Sequence, residues 1–155
     1  AHIGKLEHDN RFGVLAELRR MYDLLKPGGV MVLQSIVRPE RGIPDRWFTD
    51  DRVVESGVFP GSDLPWTKQA RGWIRQAGFV IEEEDEQGHG YARTTSAWYD
   101  NFARIPDAVI ARAAAARGFS LAECKRYWPL YLAGVSVQFQ LGLIGLMRWK
   151  LRKPR

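Results

Sequence analysis

Leu25-Lys26-Pro27-Gly28-Gly29-Val30-Met31-Val32-Leu33 is the stretch that decides the fold. A basic last turn, then proline, then two glycines, is how a helix is stopped. The four apolar residues that follow suit a strand buried on both faces. Upstream, Phe12, Leu15, Leu18, Tyr22 and Leu25 recur at helical spacing, and Glu17, Arg19, Arg20 and Asp23 fall elsewhere. Asp9 or Asn10 can cap that helix, and residues 1–8 read as the tail of a strand. Helix, tight turn and buried strand are half of a βαβ unit, the building block of an α/β fold.

Downstream, residues 37–65 are rich in proline and glycine, and the aromatics in and beside them (Trp47, Phe48, Phe59, Trp66) suggest a lid or wall. A short helix is expected near Arg46–Ser56. Thr67 to Ala77 reads as a helix stopped by Gly78. Phe79-Val80-Ile81 begins another strand, and the acidic run Glu82–Glu86 reads as its solvated end rather than a metal site. Helices are expected over Thr94–Arg104 and Asp107–Arg117. Ser120-Leu121-Ala122-Glu123 is a capping box, opening a helix with Leu121, Cys124, Trp128, Leu132, Val135 and Phe139 on one stripe. Pro129 is expected to kink or break it. Residues 143–151 alternate, with Arg148, Lys150 and Arg152 opposite Met147, Trp149 and Leu151, as in a half-exposed edge strand or antiparallel pair.

Three stretches then fall at strand ends or just beyond them: Ile3 to His8, Leu33 to Ile36, and Gly88 to Tyr91. In an open α/β sheet the carboxyl ends of neighbouring strands face one ligand crevice, so Glu7, Gln34 and Tyr91 are expected to converge there.

Composition bounds the rest. The 155 residues are 45% hydrophobic and 12% aromatic, enough for one folded unit with a core. A single cysteine, Cys124, excludes an internal disulfide and a multi-cysteine metal site, and reads as a buried thiol compatible with a reducing cytoplasm. The net charge of +5 gathers in residues 148–155, either as a solubilising tail or as a patch for an anionic membrane surface. No apolar run reaches transmembrane length, and no signal peptide is evident. The basic residues form no aromatic-interleaved stripe, so nucleic acid is not an expected partner.

The order of motifs resembles the C-terminal part of the cyclopropane-fatty-acyl-phospholipid synthase and mycolic acid cyclopropane synthase family of S-adenosylmethionine-dependent methyltransferases. The stretches that carry it are Ile-Gly-Lys-Leu-Glu-His at 3–8, Leu-Lys-Pro-Gly-Gly at 25–29, Leu-Gln-Ser-Ile-Val at 33–37, Val-Phe-Pro-Gly-Ser-Asp-Leu-Pro at 58–65, Tyr-Ala-Arg-Thr-Thr-Ser-Ala-Trp at 91–98, and Tyr-Trp-Pro-Leu-Tyr-Leu-Ala-Gly at 127–134. The resemblance implies a class I, Rossmann-like sheet whose last strand is antiparallel, with residues 1–155 forming the C-terminal portion of one catalytic domain. The glycine-rich loop that holds the cofactor's methionine part has no counterpart here, and Gly88-His89-Gly90 does not replace it. The isolated chain is therefore expected to be inactive.

The resemblance also implies an activity: methyl transfer from S-adenosylmethionine to the double bond of unsaturated phospholipid acyl chains, at the inner membrane surface, giving cyclopropane or methyl-branched chains. Bicarbonate, as the base, is implied to be held by Glu7, Tyr91 and the amide of Ile36, with Ile3 and Gly4 against the cofactor. Gln34 stands where the family carries a histidine. Its amide can donate a hydrogen bond but cannot relay a proton, which leaves a weakened anion site or an enzyme that stops at methylation. His89, on the face of Tyr91 if that stretch is extended, is an alternative imidazole. Two other readings stay open: methylation of a small amine, and a non-catalytic binding module.

Overall fold

The computed structural model describes residues 1–4, 11–40 and 64–155. The expected caps at Asp9 and Asn10, the helix at Arg46–Ser56, the aromatic wall of Trp47, Phe48 and Phe59, and the candidate Glu7 lie outside the described residues. The elements in chain order are β1 (His2–Ile3), α1 (Arg11–Leu24), β2 (Val30–Val37), α2 (Thr67–Gln76), β3 (Val80–Glu86), α3 (Gly88–Ala103), α4 (Asp107–Ala115), α5 (Leu121–Gln140) and β4 (Gly145–Arg152). They build a four-stranded sheet of order β1-β2-β4-β3. β1 and β2 are parallel, and β4 runs antiparallel to both β2 and β3.

The turn at Pro27-Gly28-Gly29 forms as its sequence dictates. Gly28 sits at φ +76°, a conformation open to glycine without strain, and Gly29 N–H donates to Lys26 O at 2.8 Å. β2 then differs from expectation. It is twice as long as the apolar run, and it is buried on one face only: Met31, Leu33, Ser35 and Val37 are buried, whereas Val30 and Val32 are 40% and 37% exposed. The buried face packs on Val14 and Leu18 of α1 and on Ala70 and Ile74 of α2, with Met147, Trp149 and Leu151 of β4 beside it. Burying the strand's fully enclosed Leu33 alone stabilises by about 2 kcal/mol. On the opposite face Ile36 packs with Leu146 and Ile144 against Ala92 of α3 and Val135 and Phe139 of α5.

Of the two expectations for the C-terminal strand, the antiparallel pairing forms and the edge position does not: residues 145–152 alternate, and β4 lies inside the sheet between β2 and β3. Its basic residues are held by the acidic run of β3. Arg148 pairs with Asp85 at 2.7 Å, Lys150 with Glu83 at 2.6 Å, and Arg152 with Glu82. Such exposed pairs add little stability each; opposite charges on facing strands do favour this register over others. Beyond the strand, Lys153 N–H donates to Gly29 O at 2.9 Å and Arg152 Nη1 to Gly28 O at 2.8 Å. The presumed tail is therefore fastened to the α1–β2 turn, and three of its cations face carboxylates rather than solvent anions.

The helices follow their signals closely except at two places. The capping box at Ser120 forms, with Glu123 N–H donating to Ser120 Oγ and Ser120 N–H to Glu123 Oε2. Cys124 is buried, as expected. α5 runs unbroken through Pro129, contrary to a break there. α3 begins at Gly88 instead of Thr94, so the Gly-His-Gly-Tyr stretch is a helical first turn and not a loop.

Candidate active site

β2 and β3 are both antiparallel to β4 and hence parallel to each other, and β1 is parallel to β2. Their carboxyl ends lie on one side of the sheet. At the end of β1, Ile3 is 65% exposed. Gly4 follows at φ +60°, its N–H donating to Gln34 O at 3.0 Å. The strand end thus presents an apolar side chain, then a residue with none.

Gln34 and Ile36 share one face of β2 and are both half-buried. The ladder fixes where the Ile36 amide points. Leu146 lies opposite Ile36. Its own N–H and C=O are directed to the β3 side, where they meet Glu86 Oε1 at 3.2 Å and Gln87 N–H at 2.8 Å. In an antiparallel pair a residue turns both backbone groups to the same side. Ile36 and Leu146 are therefore a non-hydrogen-bonded pair, and Ile36 N–H is directed to the β1 side, one step along β2 from the Gly4–Gln34 bond. Its carbonyl accepts from Ser35 Oγ at 3.1 Å.

Tyr91 closes the first turn of α3, its N–H donating to Gln87 O at 2.9 Å. Its half-buried ring stands edge-on to Phe139 (5.2 Å between centroids) and to Trp98 (5.7 Å). Tyr91 and Ile36 pack on the same apolar cluster. His89 is not part of that cluster. It is exposed, and two residues apart on a helix means about 200° of rotation, so it cannot share a face with Tyr91 as an extended stretch would allow.

The acidic run 82–86 is exposed, as expected, but the backbone hydrogen bonds made by Glu86 at its end were not read from the sequence. Glu86 Oε1 accepts from Gly88 N–H at 2.7 Å as well as from Leu146 N–H. A cleft of about 300 Å³ opens beside it, lined also by Val37, Thr67, His89 and Gln140. A larger apolar groove of about 480 Å³ lies between the end of α3, α4 and the start of α5, reaching Phe102, Val109 and Tyr127. Phe102 is roughly 16 Å along α3 from Tyr91, so this larger groove is not the crevice at the strand ends. Among the described residues no group of three or more His, Cys, Asp or Glu is placed to hold a metal ion.

Two parallel strands, an antiparallel strand inserted before the third, and helices on either face define part of a class I, Rossmann-like sheet. The mycolic acid cyclopropane synthetase family model matches residues 1–149, and the chain belongs to that family. It is 24% identical over 160 residues to a probable fatty acid methyltransferase of Pseudomonas putida, covering 98% of this chain and 37% of that protein. It is 28% identical over 129 residues to the tuberculostearic acid methyltransferase UfaA1 of Mycobacterium tuberculosis, covering 83% and 29%. Among solved structures it is similar to the cyclopropane synthase MmaA2 of Mycobacterium tuberculosis, with a TM-score of 0.76 at 22% identity over 97% of this chain and 53% of that one. The mycolic acid cyclopropane synthase CmaA1, complexed with SAH and CTAB, gives 0.77 at 24% over the same shares. The chain thus spans about half the length of those structures and roughly a third of the curated relatives.

Proposed function

We propose that the protein is an S-adenosylmethionine-dependent methyltransferase acting on the double bond of unsaturated acyl chains of phospholipids, in the cytoplasm at the membrane surface where such chains lie. The observation that carries this reading is the family match over residues 1–149. Ile36 and Tyr91, on one apolar cluster at the carboxyl end of the sheet, agree with it. S-adenosylmethionine supplies an electrophilic methyl group. Ile3 and Gly4 fit its edge, since an exposed apolar side chain and a bare strand end allow a planar nucleoside to approach.

The acceptor side asks for two things of this chain. The alkene that takes the methyl leaves a carbocation on the neighbouring acyl carbon. Aromatic faces attract such a cation, and the half-buried Tyr91 ring, set edge-on to Phe139 and Trp98, is the aromatic group this chain would offer. Closing the cyclopropane then breaks a C–H bond of the transferred methyl, whose electrons form the second ring bond, and the proton goes to a base. The Ile36 N–H, the Gln34 amide and the Tyr91 hydroxyl are a donor set suited to a small oxyanion, and the Glu7 carboxylate would accept from the hydroxyl of bicarbonate. Bicarbonate in that place is the base. A methyl-branched product instead requires later reduction of an unsaturated methylated chain.

The test supplies the complete enzyme with methyl-labelled S-adenosylmethionine and vesicles of either unsaturated or saturated phosphatidylglycerol, with a panel of small amines in parallel. Label is expected in the unsaturated lipid alone. Label confined to amines overturns the proposal.

A further inference from the structure

We infer that Glu86 is the positioning residue for Tyr91: its carboxylate ties the first turn of α3 to β4 directly opposite Ile36, and so sets the tyrosine hydroxyl against the Ile36 amide. The inference rests on the proposed role of Tyr91 and Ile36, and it concerns a residue outside that donor set.

The geometry is a short, closed circuit. Glu86 is the last residue of β3. Its side chain turns back so that one oxygen, Oε1, accepts from Gly88 N–H at 2.7 Å and from Leu146 N–H at 3.2 Å. Gln87 N–H donates to Leu146 O at 2.8 Å, and Tyr91 N–H donates to Gln87 O at 2.9 Å. Leu146 is the register partner of Ile36. Four hydrogen bonds therefore link the β4 residue that faces Ile36 across the ladder to the helix turn that carries Tyr91.

The fit around this oxygen is close on the glycine side. A Cβ on Gly88 would lie 2.6 Å from Oε1 and 3.2 Å from Gly145 Cα; one on Gly145 would lie 3.1 Å from the same oxygen. Gly88 is thus fitted both to the carboxylate and to the β4 backbone, with Leu146 N also 3.2 Å from its Cβ position. The arrangement also explains a helix where propensity argues against one. Two glycines in a first turn are costly, and a carboxylate accepting an orphan N–H at a helix N-terminus offsets this through both the hydrogen bond and the helix dipole. Without it, the first turn would fray and Tyr91 would lose its fixed height above the sheet.

The test is a double-mutant cycle in the complete enzyme, read by methyl transfer and by amide hydrogen exchange. Glu86→Ala is expected to lower kcat tenfold or more, of the order that a misplacement of about 1 Å produces, with KM for S-adenosylmethionine unchanged. Glu86→Gln keeps an acceptor oxygen and is expected to restore most of the rate. Exchange at Gly88 and Leu146 should quicken in Glu86→Ala. In a Tyr91→Phe background, Glu86→Ala should cost less than about twofold, because coupled residues are not additive. Equal cost in both backgrounds, a wild-type rate for Glu86→Ala, or unchanged exchange at Gly88 and Leu146 overturns the inference. A wild-type rate for Tyr91→Phe alone is a different failure: it removes the proposed role of Tyr91 itself.

Discussion

Replacing Tyr91 separates chemistry from packing. Tyr91→Phe keeps the ring and both edge-on contacts, to Phe139 at 5.2 Å and Trp98 at 5.7 Å, and removes only the hydroxyl. Losing one hydroxyl hydrogen bond costs about 1 kcal/mol of stability, which is a fall in Tm of about 2–4 °C for a chain of this size. Losing one preorganised donor to an oxyanion costs about 10²–10³ in kcat. Tyr91→Ala adds the loss of two aromatic contacts at about 0.5–1.5 kcal/mol each. With the truncation of a half-buried ring, the total is about 2–4 kcal/mol, or about 5–15 °C in Tm. The assay pairs thermal unfolding with labelled-methyl transfer on each variant. Tyr91→Phe should be nearly as stable as wild type and nearly inactive, and Tyr91→Ala both inactive and less stable. A Tyr91→Phe enzyme with the wild-type rate refutes the reasoning.

Three further outcomes follow from other parts of the molecule. Gln34→Leu, which removes the amide donor at similar volume, should slow transfer about tenfold, as expected for one lost hydrogen bond at 1–2 kcal/mol; an unchanged rate removes Gln34 from the site. Gly78→Ala should destabilise by about 1–3 kcal/mol, since Gly78 sits at φ +100° and an added Cβ would stand 3.0 Å from the Tyr22 ring; urea unfolding measures it. At low pH, hydrogen bonds from Arg71 hold the Glu84 carboxyl below its ordinary value of 4.5. That contribution is present above about pH 4.5 and is lost as the pH falls through the lowered value. Arg71→Ala should therefore move the acid-unfolding midpoint upward by circular dichroism, and a midpoint that stays put contradicts the pairing.

The parts of the fold that were legible in the sequence are those set by neighbours along the chain. The Pro27-Gly28-Gly29 stop and the Ser120–Glu123 capping box need only a few adjacent residues to form, and both formed. The start of α3 was not legible. Gly88 and Gly90 argue against a helix locally, and the oxygen that caps the turn is also fastened to Leu146, sixty residues on. The C-terminal strand shows the same division. Its alternation was readable from residues 143–151, but its place inside the sheet depends on the acidic run at 82–86, and charges on two distant strands reveal their pairing only once the strands are adjacent. Of the candidate site, Ile36 and Tyr91 pack on one cluster and Ile3, Gly4 and Gln34 meet at the end of β1. Tyr91 arrives there from a helix and not from a loop, which is why His89, chosen on extended geometry, points elsewhere.

The most direct measurement is the acyl-chain profile of a bacterial host that makes no cyclopropane lipids, before and after it expresses the complete enzyme. Gas chromatography of the phospholipid acyl chains should show methylated or cyclopropanated chains growing at the expense of monounsaturated ones, and Tyr91→Phe should leave the profile as in the host. An unchanged profile from a folded enzyme that binds S-adenosylmethionine would contradict the account.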